Sequence, residues 1–220
     1  MNINITFDLE TCALCPTAAV MSIGAVAWNA DAEDNPFTDI TDNISGEYSF
    51  YRHVDLRSSF VDGFTFDKKT SDWWATQDDD AKKALLEYDA VSLSPIDSVI
   101  EDFFSFIQYV QEETSAKEVK LWSQGTDFDI AILRNICRKY GIEVPVSYKN
   151  FRDHRTFFME GAKIICDKAG AEFDSKKAYM LVDEYDGPGE PHNPVYDCKR
   201  SIYSTWQMMK HLRSLKYPQQ

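Results

Sequence analysis

The stretch Ile3 to Thr11, INITFDLET, constrains this chain more than any other. Ile3, Ile5, Phe7 and Leu9 alternate with Asn4, Thr6, Asp8 and Glu10, and this strict alternation predicts a β-strand. Asp8 and Glu10 then project from one face. Two carboxylates so close repel each other, so a fold that holds them together supplies a cation or leaves them in water. A strand with a wet polar face satisfies the second condition as simply as a metal site satisfies the first.

With 220 residues, 44% hydrophobic and 14% aromatic, the chain suits one globular domain over residues 1–220. It contains no apolar run long enough to span a membrane, and its start lacks the basic flank and apolar stretch of a signal peptide. Cysteines at 12, 15, 137, 166 and 198 are odd in number and scattered, which fits a reducing compartment and a cytoplasmic location. Cys12 and Cys15 form a CxxC without the second pair or histidine partners of a zinc finger, and Pro16 follows them. They read as two thiols in a turn. The net charge of −13 excludes a protein that grips nucleic acid through overall basicity. The charge is uneven, however: no Lys or Arg precedes Arg52, and no acid follows Asp197. That asymmetry allows a basic wall beside an acidic centre, and equally a solvated helix face.

Farther along, Ala19 to Trp28 is apolar enough for a buried second strand, and Glu47 to Val54 alternates as a third, giving an antiparallel meander across an acidic loop at 29–46. Ser71 or Asp72 is the expected cap of a helix through Trp73, Trp74, Ala81 and Leu85, with Asp78 to Asp80 exposed. Two adjacent tryptophans cannot both face one core, which leaves one to pack and the other available to stack on a base or sugar. A helix from Pro95 carries Ile96, Val99, Ile100, Phe103, Phe104, Ile107 and Val110 at core spacing. Val119 to Ser123 predicts a strand, and Gly125 to Tyr140 a turn and helix with Asp129 in the first turn. Thr126, three residues earlier, also fits a capping box with Asp129. Val144 to Tyr148 predicts a fifth strand, and Lys149, Arg152 and Arg155 form either a phosphate seat or surface ion pairs. The segment 166–191, ending in GPGEP, reads as a mobile loop. His192 lies just ahead of the last helix, whose first turn holds Pro194, and Asp197 lies inside it.

The acids and the histidine thus fall in three blocks: Asp8-x-Glu10, Gly125-x-x-Phe128-Asp129, and His192-x4-Asp197. In that order they resemble the DEDDh subgroup of the DnaQ-like 3′→5′ exonucleases. Trp73-Trp74 and the Arg152-Asp153-His154-Arg155 block further resemble the stand-alone phage exonuclease A and mycobacterial exoribonuclease type. One departure is WSQGTDFD before Asp129, where relatives of the RNase T kind have His-Asn-x-x-Phe-Asp.

The resemblance implies an α/β, ribonuclease H-like fold with a mixed five-stranded sheet flanked by helices. It implies a metal-dependent 3′→5′ exonuclease that releases nucleoside 5′-monophosphates from single-stranded RNA or DNA with a free 3′ end. Two Mg2+ or Mn2+ ions would be held by Asp8, Glu10, Asp129 and Asp197, hard oxygen donors suited to hard cations. His192 would be the general base, since imidazole exchanges protons near neutral pH. Leu9 and Thr11 would bind the terminal nucleotide, and Arg155 a phosphate. No membrane partner is implied. A homodimer in which the basic last helix feeds substrate to the other subunit is a further expectation. Alternatives on the same fold are a proofreading module, an oligoribonuclease, or a binding protein without chemistry.

Overall fold

A computed structural model describes residues 2–38, 40, 47–86 and 93–215. Five strands form one sheet: β1 (Asn2–Thr11), β2 (Val20–Trp28), β3 (Ser49–His53), β4 (Glu118–Ser123) and β5 (Phe151–Asp153). Their order is β3-β2-β1-β4-β5. β1 to β3 are antiparallel neighbours, whereas β4 lies parallel to β1, and β5 parallel to β4. Helices cover both faces, as expected for this α/β class.

The alternation in β1 sorts two different interiors. Ile3, Ile5, Phe7 and Leu9 enter the larger core with the buried stripe of α4 (Ile96–Glu113) and with Ile132, Leu133, Ile136 and Cys137 of α5 (Ala131–Tyr140). The opposite face is not wet. Asn4 and Thr6 are buried beneath α6 (His154–Ala169) and α7 (Pro194–Ser214), and both find side-chain partners there, as burial demands. Trp122 Nε1 donates to Asn4 Oδ1 at 2.9 Å, and Trp28 Nε1 donates to Thr6 Oγ1 at 3.0 Å. His154 bridges Thr6 and Thr205 at 2.8 and 2.7 Å, and burial lowers its pKa to about 3, so the ring is neutral.

Several boundaries depart from the sequence reading. The fifth strand is β5, three residues long, and not Val144 to Tyr148. Val146 is buried in an irregular connection, whereas Phe151 to Asp153 pair with Leu121 to Ser123. The helix expected through the tryptophans is two helices. Asp67, rather than Ser71 or Asp72, caps α2 (Lys68–Ala75), and Asp78 accepts from the Ala81 amide to start α3 (Asp79–Leu86). A short helix, α1 (Leu56–Val61), precedes them, capped by Asp55.

The segment 166–191 is anchored rather than loose. Its first residues finish α6, and Ala178–Leu181 forms a 3-10 turn. Gln207 of α7 donates to the Asp183 carbonyl at 2.8 Å and accepts from its amide at 3.0 Å. Cys12 and Cys15 lie in a turn as unpaired thiols. Residues 39 and 41–46 of the acidic loop and the side chains of Asp80 and Leu85 lie outside the described residues. Among the described residues no helix is long and apolar enough to cross a membrane.

One glycine sets the height of α7 above the sheet. Gly24 of β2 lies opposite Asp8 in the ladder, and a Cβ there would fall 2.6 Å from the Pro194 carbonyl carbon and the Val195 nitrogen. No side chain fits. Gly24→Ala is expected to lift the first turn of α7 and to destabilise the protein by about 1–3 kcal/mol in urea unfolding. Gly125→Ala, whose Cβ would meet nothing within 4 Å, is the control and should stay within about 0.5 kcal/mol of wild type. Equal midpoints for all three proteins would contradict the close contact.

Candidate active site

Asp8 and Glu10 project from the C-terminal part of β1, and two other segments bring acids to them. Asp129 sits in the turn Thr126–Ile130, which is wound as a π-helix and leads into α5. Asp197 sits in the first turn of α7, whose cap is Asn193: its Oδ1 accepts from the amides of Val195 and Tyr196 at 3.0 and 3.3 Å. The Thr126 capping box does not form. The Thr126 amide instead donates to Asp153 Oδ2 at 2.8 Å, while Asp153 Oδ1 takes the Thr156 amide at 2.7 Å. Asp153 therefore caps α6 and ties the Asp129 turn to it. Burial works against the charge on Asp153, but these bonds hold its pKa below the ordinary value. Nothing in the local sequence announces the cross-link to Thr126, because Asp153 ends β5 and Thr126 opens the turn after β4, far apart in the chain.

The four acids crowd one another. Burial, then the charges of Asp129, Glu10 and Asp197, push the Asp8 pKa well above the usual carboxylate range. Burial and the charges of Asp197 and Asp129 raise Glu10 to about 8. Burial raises Asp129 to about 7, opposed by the amides of Gly125, Asp129 and Leu9 and by the charge of Arg155. Glu10 and Asp129 are only 8% and 3% exposed, so solvent relieves little of this repulsion.

His192 folds over the acids. One ligand atom each from Glu10, His192 and Asp197 lies within 4.8 Å of the others. The His192 amide donates to Asp197 Oδ2 at 2.9 Å, and its φ of +67 places it in the left-handed region, sparsely populated by residues other than glycine. The ring meets both tryptophans nearly edge-on, with centroids 5.2 Å from Trp73 and 5.5 Å from Trp74. Trp74 packs and donates Nε1 to the Thr11 carbonyl at 3.1 Å, while Trp73 remains 46% exposed. One indole thus packs while the other stays half-exposed, and their contact with His192 is an addition that spacing alone did not reveal.

The remaining sequence candidates are placed less simply. Leu9 and Thr11 are buried, and the Thr11 hydroxyl donates to the Ala13 carbonyl at 2.9 Å. Arg155 is exposed at the head of α6 and acts on Asp129 through its charge. Arg152 is tied to the carbonyls of Lys149 and Phe151. The basic end of α7 is engaged with the chain's own acidic loop. Arg213 pairs with Asp31 at 2.7 Å, and Lys210 donates to the Glu33 carbonyl at 2.6 Å. Those two cations are engaged within the chain.

The chain matches, over residues 3–205, the family described as the Rv2179c-like 3′-5′ exoribonuclease domain. It belongs to that family. The fold agrees. Cell-death related nuclease 4 (CRN-4) superposes with a TM-score of 0.60 at 16% identity, over 95% of this chain and 64% of that one. The present chain thus spans less than two thirds of that nuclease. The nuclease domain of 3′hExo, a DEDDh family member solved with rAMP, gives a TM-score of 0.54 at 12% identity, over 99% of this chain and 96% of that one. No curated protein shows significant sequence similarity to the chain.

The cluster fits divalent cations, because its carboxylates are hard oxygen donors and burial, joined at Asp8 and Glu10 by neighbouring charges, raises the pKa values of Asp8, Glu10 and Asp129, a penalty that a cation would relieve. The sign of the pH effect follows. A carboxyl whose folded pKa is raised contributes stability that is complete below its unfolded value, about 4, and is lost as pH rises through the folded value. For Glu10 and Asp129 that places the loss between about pH 4 and pH 8. The melting temperature of metal-free protein should therefore fall across this window, less steeply in Glu10→Gln, and Mg2+ or Mn2+ should restore it at the alkaline end. A melting temperature independent of both pH and metal would count against the cluster as a cation site.

Proposed function

We propose that this chain is a divalent-metal-dependent 3′→5′ exonuclease that removes nucleoside 5′-monophosphates from the free 3′ end of single-stranded RNA or of 3′ overhangs. The observation that carries this reading is the convergence of Asp8, Glu10, Asp129 and Asp197, from three distant segments, into one cluster beside His192. RNA is preferred as substrate on the strength of the family's description as exoribonuclease.

In this reading the four acids hold two Mg2+ or Mn2+ ions, which when bound supply charge neutralisation, an activated water and stabilisation of the leaving oxygen. The chain's own groups do the rest. Asp8, from the middle of the sheet, faces the other three acids, and Asp129 is fixed by its amide contacts and through the Thr126–Asp153 bond. An imidazole nitrogen of His192 accepts the proton of the attacking water, and the bond from its amide to Asp197 keeps the ring over the centre. The indoles of Trp73 and Trp74 flank that ring and exclude water from one side. The Leu9 to Thr11 backbone and the half-exposed face of Trp73 form the seat for the terminal nucleotide, by a stacking contact open to any base. Arg155 lies where its charge offsets Asp129 and serves as a phosphate contact.

The test is degradation of a 5′-labelled single-stranded RNA and the matching DNA by wild type, Asp8→Ala and His192→Ala. Wild type should give a ladder shortening from the 3′ end, faster on RNA and abolished by EDTA. Asp8→Ala should lose at least about 1,000-fold in rate, and His192→Ala about 100-fold to 10,000-fold. Intact substrate in every lane, from a protein that still binds Mn2+, would sink the exonuclease reading.

A further inference from the structure

Around much of the surface, cations sit in pairs with the chain's own carboxylates: Arg52 with Asp102, Lys68 with Asp72, Lys82 with Asp79, Lys177 with Asp174 and Arg213 with Asp31. One edge is built differently. Between Ala131 and Arg155 a chain of net charge −13 carries six Lys and Arg against two acids, Glu143 and Asp153, and Asp153 is committed to the amides of Thr126 and Thr156. Among the described residues no ion pair joins Arg134, Arg138, Lys149, Arg152 or Arg155 to a carboxylate.

These cations gather around β5, the outermost strand of the sheet. Arg134 of α5 lies over the Phe151 ring at 4.7 Å, and Arg152 Nη1 donates to the carbonyls of Lys149 and Phe151 at 2.7 and 2.8 Å. Lys149 Nζ is 5.9 Å from the ring centre of Tyr148, which is 71% exposed. Arg138 follows Arg134 by one helical turn and shares its exposed face. Arg155, two residues beyond β5, closes the row at the acid cluster, where Asp129 feels its charge.

Like charges so gathered repel one another, and pairing with acids, as elsewhere on this chain, would be the simpler surface. The residue types select the partner. A guanidinium is planar and donates to two phosphate oxygens at once, and an exposed aromatic ring beside a cation offers a face on which any base stacks. A nucleic-acid strand supplies phosphates and stacking faces together. We propose that the β5 edge is a docking surface for the strand upstream of the nucleotide being removed, with Arg134, Arg138, Lys149 and Arg152 on its phosphates and Tyr148 against a base, at a place separate from the acid cluster. The surface gives an acidic protein a local attraction for a polyanion. This assignment rests on the exonuclease reading and adds to it that affinity rises with strand length.

The experiment measures KM for a 5′-labelled trinucleotide and for an RNA of about 20 nucleotides, across a series of KCl concentrations. It compares wild type, Arg134→Ala/Arg138→Ala/Lys149→Ala, and Lys117→Ala/Lys168→Ala, a control outside the row, since Lys117 precedes β4 and Lys168 lies in the last turn of α6. Wild type should bind the long strand with a KM at least about tenfold lower than the trinucleotide, and the triple variant should lose most of that advantage. Its slope of log KM against log salt for the long strand should be shallower by about 2, at about 0.7 per cation removed from a single-strand complex. Lys149→Ala alone should shift the slope by about 0.7, which keeps the test decisive if the triple variant folds poorly. A folded variant with the wild-type length ratio and slope overturns the assignment, as does a control that loses as much. Anisotropy of the labelled long strand over the same salt series needs no cleavage. Wild type that cuts neither strand overturns the exonuclease reading; if the binding slope still falls in the variants the surface stands, and if it does not, both are overturned.

Discussion

Repulsion among four crowded carboxylates is the constraint on which the rest of this structure depends. Asp8, Glu10, Asp129 and Asp197 form one cluster in which burial raises the pKa of the first three and neighbouring charges add to it at Asp8 and Glu10. Left to themselves such groups would move apart or into water. They stay because each is fixed by structure that extends well beyond the site. β1 lies between two hydrogen-bonded neighbours, the Asp129 turn is tied to β5 through Asp153, and α7 is seated on the bare backbone of Gly24. The cluster is a place where surrounding structure holds repelling groups together, a cost that a bound cation would relieve.

The fixtures divide between the two faces of the sheet. On one face an apolar core locks β1 against α4 and α5. On the other, a polar interior of Asn4, Thr6, His154 and Thr205 is satisfied by two indole donors and neighbouring hydroxyls, with His154 held neutral by burial. That second layer carries α7, hence Asp197. A polar layer is less forgiving than an apolar one, since any displaced partner leaves a buried group unsatisfied. It is accordingly suited to holding α7 at one height and in one rotation.

Legibility in the sequence followed the range of the interactions. Long periodic segments such as β1 and α4 could be read because their pattern repeats many times within one element. The fifth strand could not. Phe151 to Asp153 is too short to show a period, and its pairing with Leu121 to Ser123 depends on a partner nearly thirty residues away. The same holds at the site. The three blocks of acids were visible as motifs, whereas the double role of Asp153, the packing of Trp73 and Trp74 against His192 and the engagement of Arg213 with Asp31 are contacts between distant segments.

By itself, the sequence singled out the candidate acids and histidine and the elements that present them. Alternation put Asp8 and Glu10 on one face of a strand, and Pro194 and Asn193 fixed the start of the helix that holds Asp197. Those are local consequences of backbone geometry and capping. Only the tertiary structure decided that the polar face of β1 would be dry, that His192 would close over the acids, and that a cavity would open beside them along α7. Burial, mutual repulsion and enclosed volume are properties of several segments at once, and no single stretch of chain possesses them.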